Sequence, residues 1–222
     1  MRYGDGRGKS VNRLITFEGV DGCGKSTQLK LAAAWLQERG EQVITAFEPG
    51  DTVLGKEIRR LLLAGEHVPV AEAELLLFLA DRAQHVREKI QPAMQTGAWV
   101  LCDRYSDSTL AYQLAARKLS EGAADLKPML TFAECGVSPA LTLWFDVPVN
   151  EAMARMKKRM EAGEKATRLD DEAESFHLRV AQAFADQAAG DSGRIKRIDA
   201  AADIAGVFAR VEQTLQKHFS LP

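Results

Sequence analysis

Residues 19–27 read Gly-Val-Asp-Gly-Cys-Gly-Lys-Ser-Thr and match the pattern G-x-x-x-x-G-K-[ST]. Each fixed residue type has a physical reason. Gly22 and Gly24 let the backbone wrap with its N–H groups inward, Lys25 can reach the β- and γ-phosphates, and Ser26 offers a hydroxyl to Mg²⁺, all at the positive end of a helix dipole. A turn that merely joined a strand to a helix would not need the Lys-Ser pair. Gly19, Val20, Asp21, Gly22, Cys23, Gly24, Lys25, Ser26 and Thr27 are therefore the expected binding set for a nucleoside triphosphate. A GTPase would also need a guanine-reading N-K-x-D, and the chain has no Asn-Lys pair. A motor ATPase would carry an apolar run ending in Asp-Glu. Here the run Trp99 to Cys102 ends in Asp103-Arg104, an acid that can support Mg²⁺ followed by a base that can face phosphate, unless the two are only a surface ion pair.

These residues need a scaffold of alternating strands and helices. Leu14 to Phe17 is a β-favouring run stopped by Gly19, and Lys25 to Arg39 repeats apolar residues at helical spacing through Leu29, Ala32, Ala33 and Leu36 before Gly40. Strands are expected at Gln42 to Phe47, Trp99 to Cys102 and Leu141 to Phe145, with a short fifth at Arg197-Ile198. Helices are expected at Thr52 to Leu63, Ala71 to Met94 and Ala201 to His218. Strands separated by helices imply parallel pairing through right-handed crossovers and a doubly wound α/β sheet. Ligands then bind beyond the carboxyl ends of the strands, where the glycine loop and Asp103 both fall.

Composition narrows the class further. At 222 residues the chain is sized for one α/β domain, expected over 12–222, with residues 1–11 as a flexible extension. Lys plus Arg (29) nearly balance Asp plus Glu (31), so no global positive field draws the chain to nucleic acid or anionic lipid, and any polyanion must be held locally. Cys23, Cys102 and Cys135 form no C-x-x-C pair, which argues against zinc and a disulfide framework and fits a reducing cytoplasm. The longest apolar run, Leu75 to Ala80, is far short of a membrane span, and no export signal is evident, so neither membrane nor nucleic acid is expected as a partner.

Phe78-Leu-Ala-Asp-Arg-Ala-Gln-His85, Asp103-Arg-Tyr-Ser-Asp-Ser-Thr-Leu-Ala-Tyr-Gln113 and Glu48-Pro49-Gly50, taken with the Gly19 loop, carry a resemblance. Over roughly residues 13–217 the chain resembles bacterial thymidylate kinases, which pass the γ-phosphoryl of ATP to dTMP. The Asp-Arg-Tyr…Ala-Tyr-Gln element is specific to that family among P-loop kinases; the loop is not. The resemblance implies a P-loop NMP-kinase fold with a five-stranded sheet and a basic lid at about 155–171. It also implies Mg²⁺-dependent formation of dTDP for dTTP synthesis, with ATP as donor, and a cytoplasmic homodimer. Alternatives are a kinase for another deoxynucleoside monophosphate, or a weakly active nucleotide-binding homologue serving as a partner protein.

Residue roles follow from the same resemblance. Phe78 would stack on thymine and Arg82, one turn on, would bond its O4; Thr109 would sit by the base edge. Arg104 would grip the acceptor phosphate, and Tyr112 would fill the place of a ribose 2′-OH. Glu48 and Ser108 complete the substrate-binding set. Asp21 would lie near the sugar hydroxyl and the metal-bound water, with Ser26 and Asp103 as metal residues. The catalytic set is Lys25, Asp21, Arg104 and the lid cations Arg159 and Arg168, with Arg155 also a candidate. Position 23 is cysteine and the loop has no arginine, so the lid must supply the extra cation. Blander readings exist: Phe78 and Tyr112 as core, Arg82 paired with Glu74 or Glu88, the basic lid as a solvated face, His85 as structural. Three positions depart from the family pattern: Phe47 for arginine, Asp51 for glycine and Thr167 for aspartate.

Overall fold

The computed structural model describes residues 12–64, 68–119, 125–163 and 165–221; the extension expected over 1–11 lies outside them. Five strands form the sheet among the described residues: β1 (Leu14–Glu18), β2 (Val43–Phe47), β3 (Trp99–Asp103), β4 (Leu141–Asp146) and β5 (Ile195–Asp199). Their order is β2-β3-β1-β4-β5, every pair parallel. The expected doubly wound five-stranded sheet is present, and the short Arg197-Ile198 signal extends to five residues because β4 pairs with it from Thr142 to Asp146.

The helices are α1 (Lys25–Glu38), α2 (Val53–Leu63), α3 (Ala71–His85), α4 (Gln91–Gln95), α5 (Ser106–Thr109), α6 (Lys127–Ala133), α7 (Val149–Glu161), α8 (Glu174–Gly190) and α9 (Ile204–Phe219). A π-helical stretch, Val86–Ile90, joins α3 to α4, and a second, Leu110–Ala116, continues α5. The long helix expected to Met94 is thus interrupted by one widened turn. Thr52 caps α2, accepting from Gly55 N at 2.9 Å, and Asp203 caps α9, accepting from Gly206 N at 2.8 Å.

Alternation along the central strands separates two faces. Ile15, Phe17, Trp99 and Leu101 belong to one packed cluster with Leu29, Ala32 and Leu36 of α1 and Val207, Val211 and Leu215 of α9. Leu14, Val100 and Cys102 pack instead with Val86, Ile90, Tyr105 and Val137. Covered on both sides, β1 is wholly buried, which is why it reads as a run of apolar residues. Its carboxyl end, beside that of β3, is where the chain leaves the sheet toward the site.

Candidate active site

The glycine loop leaves β1 and enters α1 through Gly24, whose φ of 93° is left-handed and whose place at the helix N-terminus carries no capping side chain. No side chain therefore competes with a ligand at that helix end, where Thr27 N is bonded to the Gly24 carbonyl at 3.1 Å. Gly22 is required by close approach: a Cβ there would lie 2.2 Å from the Ala152 carbonyl oxygen of α7. Lys25, buried to 6 % exposure, holds its Nζ 3.4 Å from the Val20 carbonyl and 3.6 Å from Asp21 Oδ1, inside the curl of the loop. Cys23 is buried, and burial pushes its thiol above the ordinary value, so it contributes backbone and packing rather than a nucleophile.

Ser26 Oγ donates to Asp103 Oδ2 at 2.5 Å. The pairing joins the loop to the end of β3 and places a hydroxyl and a carboxylate oxygen together, the hard donor set that suits Mg²⁺. The next residue, Arg104, has φ 71°, a left-handed backbone that costs an L-residue about 1–2 kcal/mol. Four bonds fix its side chain: Nη2 donates to Asp21 Oδ1 (2.6 Å) and Tyr112 OH (3.0 Å), Nη1 to Ser108 Oγ (2.9 Å) and the Gly19 carbonyl (3.2 Å). Tyr112 in turn donates to Asp21 Oδ2 at 2.9 Å. Burial alone would raise the Asp21 pKa, but Arg104 and then Lys25 outweigh it and hold the carboxyl well below its usual range. Asp21, expected near the sugar and metal, thus first serves to aim Arg104.

The opposite wall rises from α3. Phe78 is half-buried and lines the cavity, and Arg82 is 2 % exposed and lines it too. Arg82 pairs with neither Glu74 nor Glu88: its Nε donates to Glu48 Oε2 at 2.9 Å and its Nη1 to Thr109 Oγ1 at 2.8 Å. Glu48 Oε1 lies 2.9 Å from His85 Nδ1, so its two oxygens bridge Arg82 and His85. Tyr112 is both site and packing, its ring centroid lying 6.0 Å from Phe176 and 6.4 Å from Phe184 of α8. Ser108 links Arg104 to Glu18 (2.5 Å), a carboxyl that burial, and next Asp107, push up to about 8.

The lid residues divide. Arg155 and Arg159 of α7 line the cavity. Arg168, expected as a lid cation, here turns toward α3, pairing with Glu74, and donates through Nε to the Leu62 carbonyl at 3.2 Å. Its long guanidinium finds a carboxylate with 1 % exposure there, which holds it off the cavity. Of the three departures, Phe47 is 42 % exposed and lines the cavity, Asp51 takes Lys89 at 2.7 Å, and Thr167 bonds Asp170 through both N and Oγ1 at 2.8 Å. Gln113, Lys165 and Arg59 are among the cavity residues that escaped the sequence reading. Gln113 lay inside the motif already quoted, and Lys165 within the basic lid. Arg59, which donates to the Pro49 carbonyl at 2.7 Å across Gly50, had no local signal.

The phosphate loop, Glu48, Phe78, Arg82, Asp103, Arg104, Ser108, Thr109, Tyr112, Arg155 and Arg159 border one cavity of about 1070 Å³. That is at the upper end of single-ligand sites and fits two nucleotides meeting head to head. The family model for thymidylate kinase matches residues 17–211. Proteins named thymidylate kinase from Trichormus variabilis (42 % identical, 93 % of this chain and 96 % of that one), Syntrophus aciditrophicus (43 %, 89 % and 91 %) and Thermomicrobium roseum (47 %, 84 % and 86 %) are similar. The crystal structure of thymidylate kinase from Ehrlichia chaffeensis superposes with a TM-score of 0.71 at 30 % identity, covering 92 % of this chain and 98 % of that one.

Proposed function

Because the chain belongs to the thymidylate kinase family, we propose that it transfers the γ-phosphoryl group of ATP to dTMP, giving dTDP, within a single domain over 12–222 whose lid spans about 155–171. The observation that carries this reading is Arg104: one side chain, fixed by Asp21, Tyr112 and Ser108, stands between the triphosphate loop and the Phe78–Arg82 wall of the same cavity.

In-line transfer asks the protein for positioning and for charge neutralisation. The loop N–H groups and Lys25 hold the donor phosphates. Arg104 meets the acceptor phosphate with an orientation already set, so little reorganisation accompanies charge development. Phe78 stacks on the base, Arg82 donates to its O4 while Thr109 and Glu48 hold the guanidinium, and Tyr112 occupies the place of a 2′-OH. Arg159, with Arg155 nearby, supplies the cation that a loop with Cys23 does not. Mg²⁺, held by Ser26 and Asp103, would neutralise the phosphate oxygens when bound.

We also propose that two copies pair through the apolar cleft between α3 and α6, where Phe132 is 83 % exposed beside Ala80 and Ala83. A cytoplasmic setting completes the proposal: the three cysteines are free, and no helix among the described residues is long and apolar enough to cross a membrane. An ADP-release assay over dTMP, dUMP, UMP, dCMP and the purine monophosphates tests the assignment. Preference for a purine or for dCMP would favour a sibling kinase, and no turnover with any acceptor would favour a binding protein.

A further inference from the structure

Behind the acceptor wall a line of charge runs from Arg82 away from the cavity. Lys89 Nζ is 2.7 Å from Asp51 Oδ1; Asp51 Oδ2 is 3.3 Å from His85 Nε2; His85 Nδ1 is 2.9 Å from Glu48 Oε1; and Glu48 Oε2 holds Arg82 at 2.9 Å. His85 is completely buried, on the last turn of α3, one turn beyond Arg82. The groups around it come from every neighbouring element: Glu48 and Asp51 from the turn after β2, Asp81 and Arg82 from α3, Lys89 from the π-helical stretch, and Cys102 from β3. The Cys102 thiol is pushed well up by burial and by Glu48, so it adds no charge.

A neutral imidazole has one N–H and one lone pair. Either tautomer would turn its lone pair on a carboxylate, at Glu48 or at Asp51. The protonated ring donates from Nδ1 to Glu48, and its charge faces Asp51, whose Oδ2 lies 3.3 Å from Nε2 as an ion pair without a hydrogen bond. We propose that His85 is a positioning residue for the acceptor pocket: as an imidazolium between Glu48 and Asp51 it pins Glu48, and through Glu48 it sets the guanidinium of Arg82 that meets the acceptor base. The inference rests on the reading of Arg82 as the base-binding residue. It also gives a role to Asp51, one of the three departures from the family pattern, as the second carboxylate that keeps the ring charged. Burial by itself would lower the His85 pKa, but the hydrogen bond and charge of Glu48, then Asp51 and Asp81, raise it above the usual histidine value. The clamp is therefore complete below that raised value and is lost as pH climbs through it.

The test is steady-state kinetics of the full chain from pH 6 to 9, with dTMP and ATP varied separately, on wild type, His85→Gln and Asp51→Asn, with melting curves to establish folding. Wild-type kcat/KM for dTMP should fall on the alkaline side, where the acceptor phosphate is already fully ionised. H85Q should raise the KM for dTMP roughly tenfold, the size of one lost charged contact, leave the KM for ATP within about twofold, and lack the alkaline fall. D51N keeps the ring but removes one of its anions, so the fall should move to lower pH. An unchanged KM for dTMP in folded H85Q, or equal rises for both substrates, would overturn the proposal. Should H85Q fail to fold, D51N decides, and an alkaline limb that does not move overturns it. Absence of dTMP turnover in the wild type would overturn the functional reading and this inference with it, whereas normal wild-type turnover with indifferent variants overturns the inference alone.

Discussion

Replacing Arg159 and Arg168 separately by alanine distinguishes catalysis from lid anchoring. Arg168 has a side chain only 11 % exposed and pairs with Glu74 at 1 % exposure. Removing one partner of a buried pair costs about 3–5 kcal/mol when the other charge is stranded. Glu74 is not stranded here, because Arg117 still reaches its Oε1 and Oε2 at 3.2 Å each and Gln113 its Oε1 at 3.0 Å. The expected loss for R168A is therefore nearer the value of one charged hydrogen bond, about 1.5–3 kcal/mol, or roughly 3–10 °C in Tm for a chain of this size. Its kcat should change little once the protein is folded. Arg159 lines the cavity, and the loop across from it has Cys23 where an arginine could have stood. Deleting a preorganised cation at developing charge costs about 10²–10³-fold in kcat, and more for arginines at transferring phosphoryl groups, so R159A should lose about 10³-fold with a near-native Tm. Coupled ADP release at saturating dTMP and ATP, beside thermal melts, measures both. An R168A protein that melts normally but has lost 10³-fold in kcat, on the scale of an arginine finger, would refute the anchoring role. An R159A protein with near-normal kcat would refute the catalytic one.

Lys25→Ala should abolish transfer with the fold intact, since Nζ touches only the loop carbonyl and Asp21; undiminished ADP release would remove the phosphate-loop mechanism. The acceptor order should be dTMP, then dUMP by a methyl-sized margin of about 1–3 kcal/mol, with UMP below dUMP and dCMP far behind because its amino group meets the Arg82 donor; kcat/KM values that put dCMP first would refute the Phe78–Arg82 pocket. Tyr112→Phe should keep the discrimination against UMP, as the ring supplies the bulk, but lower kcat by loosening Arg104; lost sugar discrimination would show that the hydroxyl carries it. Glu18, raised from 4.5 to about 8, keeps in the folded state a proton that the unfolded chain has released. Wild type should therefore lose stability relative to Glu18→Gln as pH rises from about 5 to 8, with no further divergence above 8. Parallel denaturation curves at pH 5 and pH 8 would show that Glu18 is ionised throughout.

The parts legible in the sequence are those whose cause is local. The glycine loop is contiguous and each residue in it answers to a phosphate. The central strands are covered on both faces and read as short, mostly apolar, β-favouring runs. Phe78 and Arg82, four apart, lie on one helical face whatever surrounds them. What was not legible is non-local: Arg168 meets Glu74 across 94 positions and His85 meets Glu48 across 37. No spacing rule predicts which carboxylate a buried arginine will choose. The helix α8 is a different case, because Phe176, Val180, Ala183 and Phe184 recur at helical spacing and are buried, so the signal for it was present. Without that helix, the sequence gives no hint of the packing behind Tyr112.

That packing accommodates Phe47, Asp51 and Thr167 in the site. Glu74 gathers the lid through Arg168 and the Tyr112 segment through Gln113 and Arg117, and it sits on α3, four residues before Phe78. One carboxylate thus ties together three of the walls that must agree on where the acceptor lies. Thr167 can then replace an acid in the lid, because Arg168 is anchored by Glu74 rather than by its neighbour in sequence, and the turn is closed by the bonds of Thr167 to Asp170. Asp51 can replace a small residue because His85 and Lys89 take up its charge. Phe47 lies on the cavity wall, which also carries the guanidinium groups of Arg104 and of Arg59, the latter held across Gly50 by the Pro49 carbonyl.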